Sequence, residues 1–413
     1  MPKYLLHNQI KIVHIIYLIL GFEYSFSQSP LSHFLQTEHF RNTDSLFNSF
    51  QQQTMKMDFR KPIFKQLDFR TESHDFKLNQ QEYLLRLSFQ NNSENKYSSQ
   101  IYSTKKEILE KEYSKWKAKL LLDKYYSLLE GYKSLECLAA YKSALQQYEI
   151  MYKTYMIRLQ ENTQLLKPLA KIEIKIATYE NDLIKLESDY QHSKKLLHFD
   201  DHFILLNPIV LQTSDIIEFV ENDKTALSYD DTIYILQQDI EQLQYKIKKS
   251  AGNQILDFIQ AKYTADPESL LQEKASIGIG LKIPYIIRNN YLNEDYDFNK
   301  LKIQWSAELN RQEYVQEVWK LKVELVNKCK QQLGLEERIS KLEAKYNLAK
   351  LMETSILDPE DIVDIRLEIN MLNIHQIKSK FEILHEYIQY LHKSGHFLIN
   401  PDLNYLTLPF RKL

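Results

Sequence analysis

Glycine is scarce in this sequence, with seven in 413 residues, and there are only ten prolines and two cysteines. So little glycine leaves no room for a glycine-rich phosphate loop, and two cysteines exclude a disulfide-stapled scaffold. There is no CxxC pair and no Ser-His-Asp context, so the residues point to no catalytic chemistry, cofactor or metal. Net charge is nearly absent at -2, which removes the basic field that a nucleic-acid partner needs. Beyond the N-terminus no apolar run approaches the ~20 residues of a membrane-spanning helix.

The N-terminus carries Lys3 and Lys11, the apolar run from Ile12 to Phe22, and then Ser25-Phe26-Ser27, small residues where a signal peptidase reads. Residues 1–27 therefore read as a signal peptide cleaved after Ser27, and the protein as exported. Cys137 and Cys329 both lie inside long helical stretches and are expected as small buried apolar residues rather than a bridge.

What the chain does contain is one design used twice. Leu67-Asp68-Phe69 recurs as Leu256-Asp257-Phe258, an offset of 189. Lys167-Pro168 corresponds to Asp358-Pro359, Ile174 and Lys175 match Ile365 and Arg366 at an offset of 191, and the two cysteines are 192 apart. Matches in the same order at a nearly constant offset argue for a duplicated unit of strands and helices.

No proline occurs between Pro62 and Pro168 or between Pro284 and Pro359, so a long helix can occupy each gap. The first repeat, 28–228, reads as a helix, strands at 63–71 and 82–90, a long helix at 97–166, a return helix at 168–197 and a connecting loop. The second, 229–397, reads as a helix, strands at 254–263 and 275–284, a long helix at 291–355 and a return helix at 359–395, with a C-terminal tail at 398–413. Pro168 and Pro359 suit the first turn of a helix and mark two hairpin tips. In the second return helix Ile362, Ile365, Ile369 and Leu372, then Ile377, Phe381, Leu384, Ile388 and Leu391, form one apolar seam with a phase shift. Helices this long must pack side by side as coiled coils. The fold class is mainly α with a small β part.

The strands alternate. Ile277, Ile279, Leu281 and Ile283 fall on one face, opposite Ser276, Gly278, Gly280 and Lys282; Tyr83, Leu85, Leu87 and Phe89 fall on one face of the first-half counterpart. A strand with lipid on one side and water on the other alternates in this way, and so does a half-buried strand of a soluble sheet.

The order helix, strand, strand, very long helix, proline-marked tip and return helix, given twice behind a signal peptide, resembles the TolC family of outer-membrane efflux proteins. The segment from Ile255 through Leu281-Lys282-Ile283-Pro284 resembles that family's strand pair with its apolar-Pro step. The segment from Tyr346 through Asp358-Pro359-Glu360-Asp361-Ile362-Val363 to Gly395 resembles its second tip and final helix. The resemblance implies a homotrimer in which each protomer gives four strands to a 12-stranded transmembrane β-barrel, continued across the periplasm by an α-barrel of long antiparallel helical hairpins. It implies an outer-membrane location, lipid around the barrel, and partners in a periplasmic adaptor and an inner-membrane pump. Such a channel of a Gram-negative bacterium is the exit duct of a tripartite efflux or type I secretion system and performs no chemistry.

A conduit needs a gate. Asp358, Asp361 and Asp364, spaced by three, lie close to one face of the second return helix, and in a trimer would form acidic rings at the periplasmic mouth. Lys167 and Lys171 stand on the opposing tip and are their candidate partners in a closed state. An ordinary acidic first turn, favoured by the helix dipole, explains the same aspartates. Tyr83, Phe89, Tyr263 and Tyr285 suit an interfacial girdle. His198, Asp200, Asp201 and His202 read as a surface loop rather than a metal site, and His385 and His392 as solvent-facing. The rival to the channel is a secreted or periplasmic coiled-coil scaffold with soluble strands and no pore; an exported enzyme with helical arms lacks a site.

Overall fold

A computed structural model describes residues 39–56, 64–73, 81–89, 91–159, 165–197, 209, 211–224, 229–252, 255–265, 275–281, 286–345, 359–407 and 411–412. The signal peptide, Ile283, Tyr285, Asp358 and the 198–202 cluster lie outside these residues. The elements in chain order are α1 (His39–Lys56), β1 (Phe64–Ser73), β2 (Gln81–Phe89), α2 (Asn92–Arg158), α3 (Leu166–Leu197), α4 (Thr213–Asn222), α5 (Tyr229–Gly252), β3 (Leu256–Ala265), β4 (Ala275–Leu281), α6 (Ile286–Lys345), α7 (Pro359–Lys393), α8 (His396–Ile399), β5 (Leu403–Asn404) and β6 (Arg411–Lys412).

The two long helices begin a few residues before the positions read from the sequence, α2 at Asn92 and α6 at Ile286, while the expected end of α6 at 355 lies outside the described residues. At α2 the cause is local: the Asn91 side chain accepts the Ser93 amide at 2.9 Å and so caps the helix directly behind the β-hairpin. With 67 residues, α2 has a contour of about 100 Å. The connecting segment contains a helix, α4, opened by a capping box between Gln212 and Asp215. The expected tail is also folded. Gly395 takes φ 87°, where other residues are strained, and so ends α7 and starts α8. Tyr405 and Leu406 beyond it are buried, and the Tyr405 amide donates to the Tyr125 hydroxyl while that hydroxyl donates to the Leu403 carbonyl.

The chain divides into two compact units, one of residues 43–114 and 228–314, the other of residues 1–42, 115–227 and 315–413. The first holds the sheet, in the order β1-β2-β3-β4, antiparallel throughout. Each repeat contributes one hairpin. Phe69 opposes Leu85 in the first, and Ala261 opposes Ile277 in the second; both partners stand 192 positions further on, the same separation as the two cysteines. The register irregularity between Phe64 and Gln66 likewise has its counterpart between Leu256 and Phe258. The duplication therefore has a structural offset of 192 in the hairpins, and the Leu-Asp-Phe triplets at 189 do not occupy equivalent places. Phe69 lies on one face of the sheet and Phe258 on the other, because a shift of an odd number of residues reverses every side chain.

The second unit is helical. Its core joins α2 (Cys137, Tyr141, Tyr148, Met151, Tyr155), α3 (Leu165, Leu169, Ile172, Tyr179) and α7 (Val363, Ile374). Tyr141, Tyr148 and Tyr155 recur every seven residues, which keeps one tyrosine stripe of α2 facing its neighbours. Cys137 and Cys329 are free and fully buried, and burial pushes the Cys329 thiol up to about 12, so neither is a poised nucleophile.

The sheet has one tight point. A Cβ on Gly280 would stand 2.3 Å from the Phe258 ring, which lies across that glycine and carries the Arg86 guanidinium 4.0 Å from its centre. Glycine here lets the aromatic ring lie flat along the sheet. Gly280→Val should lower the unfolding free energy by ~1–3 kcal/mol, the usual cost of overpacking. Thermal melts of the variant and wild-type chains in detergent measure the difference, and an unchanged melting temperature would contradict the packing described.

Candidate functional site

Register sorts the sheet residues into two unlike faces. On one, Thr71, Tyr83, Tyr263 and Ala275 form a row across the four strands, followed by Phe69, Leu85, Ala261 and Ile277, then Leu67, Leu87, Ile259 and Ile279. By the same alternation Phe89 and Leu281 belong to this face, which thus collects every described residue of the two sequence-derived strand sets. Its outer strands are open to solvent in the single chain: Leu67 is 62% exposed, Phe69 63%, Ile277 82% and Ile279 64%. Aromatics gather at both ends, with Tyr83 between Phe69 at 6.3 Å and Tyr263 at 6.4 Å, and Phe64 against Phe89 at 5.6 Å. From Tyr83 to Phe89 the strand advances about 20 Å.

The opposite face carries Asp68, Arg86, Gln260 and Gly278 in one row and Arg70, Leu84, Lys262 and Ser276 in the next. Its polar groups bond to one another. Lys262 pairs with Glu82 at 2.6 Å, Arg86 donates to Gln260 at 3.2 Å and Gln66 donates to Asp68 at 2.6 Å. The sheet thus separates a mainly apolar face from a mainly polar one, and among the described residues its outer strands β1 and β4 each pair on one side only.

In the helical unit the early turns of α3 and α7 come together. The Lys171 ammonium lies 2.9 Å from the Asp364 carboxylate, both groups partly exposed, so an opposing-tip lysine and an acidic candidate form an ion pair. Asp361 and Glu368 are exposed, and helical spacing puts them on the same side of α7 as Asp364. Glu368 extends the acidic row beyond the residues read from the sequence. Lys167 is exposed in the first turn of α3.

A polar junction one to two turns further along α7 was not foreseen. Arg366 Nε donates to Gln147 Oε1 at 2.6 Å, and buried Asn370 donates to the Tyr148 hydroxyl at 3.0 Å. Tyr179 closes the cluster from α3, its ring 5.5 Å from Tyr148 and 4.8 Å from Tyr141. Burial, reinforced by Asp182, holds the Tyr141 phenol at about 12, so it remains a neutral group. The only hint in sequence is an asparagine beside Ile369 inside an apolar seam. Two histidines depart from expectation. His385 is not solvent-facing: its ring lies tilted against Tyr126 with centroids 4.9 Å apart, and its Nε2 lies 3.2 Å from Glu130. His392 packs edge-on against Phe397 at 6.1 Å, and burial pushes its pKa down. Among the described residues no cluster of His, Cys, Asp or Glu could hold a metal ion, and no helix is long and apolar enough to cross a membrane.

No protein-family model matches the sequence, and no curated protein matches it. The fold recurs in solved structures. A membrane protein from Pseudomonas aeruginosa shares 12% identity over 89% of this chain and 90% of that one, with a TM-score of 0.61. CusC, whose structures describe conformational changes accompanying folding and transmembrane channel formation, also shares 12% identity and a TM-score of 0.61, over 89% and 92%. The open state of the MtrE outer membrane channel of Neisseria gonorrhoeae shares 11%, over 89% and 88%, again at 0.61. The chain therefore shares the fold of these proteins, with long helices and a small antiparallel sheet.

The junction and the ion pair should differ in weight. Asn370→Ala leaves the buried Tyr148 hydroxyl without its partner and should cost ~1–3 kcal/mol. Lys171→Ala removes a solvent-screened pair and should cost under ~1 kcal/mol. Denaturant titration of the two variants decides between them; a loss for Lys171→Ala as large as that for Asn370→Ala would contradict the greater weight given to the junction.

Proposed function

We propose that this protein is a member of the TolC family, the subunit of a trimeric outer-membrane channel that serves as the exit duct of a tripartite efflux or secretion system. One observation carries the reading: among the described residues, a four-stranded sheet with one uncovered apolar face, one polar face bonded within itself and two unpaired edges. Hydrocarbon satisfies the apolar face, water the polar one. Edge strands are not stable in lipid, because unpaired backbone groups there find no partner; joining β4 of one protomer to β1 of the next satisfies both edges. Three copies make twelve strands. The aromatic residues at the two ends of the apolar face then stand at the two membrane interfaces.

Transport in such a duct is passive. Its direction is set by an inner-membrane pump acting through a periplasmic adaptor that meets the hairpin tips, and no residue performs chemistry. The likeness to one membrane-protein structure and two channel structures over nearly nine-tenths of this chain supports the architecture. The gate we assign to the early turns of α7. Asp361 and Asp364, with Asp358 before them, line the periplasmic mouth as stacked acidic rings, and Lys171 neutralises Asp364 while the tip is closed. A ring of carboxylates favours cations.

Detergent-extracted outer membranes run without boiling should show a species of about three chains that forms channels in a planar bilayer. Asp361→Ala with Asp364→Ala should raise single-channel conductance or lower cation selectivity. A soluble monomer would favour the coiled-coil scaffold over the channel; a conducting trimer whose double variant behaves as wild type would retain the channel and remove the acidic gate.

A further inference from the structure

Histidines 385, 392 and 396 stand where α7 ends and α8 begins, and two of them face a carboxylate. His385 Nε2 lies 3.2 Å from Glu130, and His396 Nε2 lies 2.8 Å from Asp223, which also accepts the Tyr390 hydroxyl at 2.8 Å. His392 differs. Its Nδ1 is buried with no hydrogen-bond partner among the described residues. The charged groups that act on it are Lys115, Lys119 and Asp123 from α2 and Lys393 beside it on α7. Lys393 is held by Glu317 of α6 at 2.8 Å, and the C-terminal segment brings Tyr405, whose phenol burial keeps neutral. Burial first, and Lys393 next, disfavour a proton on the His392 ring, while Asp123 opposes them.

The same residue fastens a corner of the chain. The Gly395 amide donates to the His392 carbonyl at 3.2 Å, and Gly395, with φ 87°, turns α7 into α8. The His392 ring packs on Phe397, centroids 6.1 Å apart. Phe397 is 1% exposed and lies 5.5 Å from Tyr125 of α2 and 5.4 Å from Tyr405. The Tyr405 hydroxyl is 3.1 Å from the His396 and Asn400 carbonyls. One imidazole therefore stands beside the aromatic stack that attaches α8 and the C-terminal segment to α2. A charged imidazole needs water, and it gains water by leaving that stack.

We propose that His392 is an acid-sensitive fastening for the C-terminal segment: neutral, it packs on Phe397 and the segment stays on α2; protonated, it leaves Phe397 and the segment lifts from Tyr125. The fastening acts within one chain and does not depend on the channel reading. The sign follows from the direction of the shift. A histidine whose folded pKa lies below its unfolded value of ~6.5 stabilises the fold fully above that value. This contribution is lost as pH falls from there through the folded pKa. His385 and His396 do not share the behaviour, because a proton on either meets a carboxylate.

Hydrogen exchange read by mass spectrometry on the full-length, detergent-extracted chain tests this. Two neutral replacements, His392→Gln and His392→Leu, remove the titration, and comparison with wild type at one pH cancels the intrinsic exchange rates. At about pH 7.5 residues 396–407 should exchange alike in all three chains; at about pH 5.5 they should exchange severalfold faster in wild type, with the α2 core at Tyr148 and Tyr155 unchanged. The acid difference should persist when every chain also carries His396→Gln. Equal exchange at about pH 5.5 would overturn the fastening. Loss of the difference in the His396→Gln background would overturn the assignment to His392 and move it to the Asp223 pair. Acceleration of the α2 core together with the segment would overturn a local release in favour of general unfolding.

Discussion

A backbone amide or carbonyl buried without a partner is costly, and this constraint organises the sheet and whatever surrounds it. Four antiparallel strands satisfy one another inward, but β1 and β4 each retain an unpaired side. The side chains sharpen the problem. An uncovered row of Leu, Ile and Phe seeks hydrocarbon, while hydrocarbon is the one environment that cannot hydrogen-bond an open edge. A closed barrel of several copies resolves both demands at once, which is why the channel reading follows from the sheet more directly than from the helices. On the polar face, Lys262 with Glu82 and Arg86 with Gln260 keep charge locally balanced, as a water-lined wall requires.

The helices face a related difficulty. Helices of 67 and 60 residues have too much surface for one core, so each must be covered along its length by others. Tyrosine carries much of that packing. Buried Tyr125, Tyr148, Tyr155, Tyr387, Tyr390 and Tyr405 are fully covered, and several place the hydroxyl on a specific acceptor or donor, as Tyr125 does with the folded C-terminal segment. Such a core combines large apolar area with hydrogen bonds that fix register. The polar junction of Gln147, Tyr148, Arg366 and Asn370 has the same character, and holds α7 against α2 by directional bonds where leucines alone would permit sliding.

Much of the architecture could be read before any coordinates. The proline-free gaps coincide with both long helices, Pro168 and Pro359 stand in the first turns of α3 and α7, and the alternating residues of Tyr83–Phe89 and Ala275–Leu281 share one face of the sheet. Less legible was anything that depends on two segments meeting. The Leu-Asp-Phe triplets suggested an offset of 189, but the pairing of Phe69 with Leu85 and of Ala261 with Ile277 gives 192; only a partner strand distinguishes residues that differ by an odd shift. His385 looked solvent-facing from α7 alone, because Tyr126 and Glu130 reach it from another helix.

By itself the sequence determined the properties that are local and periodic: which stretches are helical, where glycine and proline interrupt them, and which strand residues share a face. These depend on spacing along one chain, and spacing is written in the sequence. Tertiary structure decided what spacing cannot encode: the order of the four strands, the pairing of Lys171 with Asp364, the burial of Asn370 against Tyr148, and the folding of the C-terminal segment onto Tyr125. Each requires residues tens to hundreds of positions apart to be brought within a few ångströms, and only the packed fold specifies those encounters.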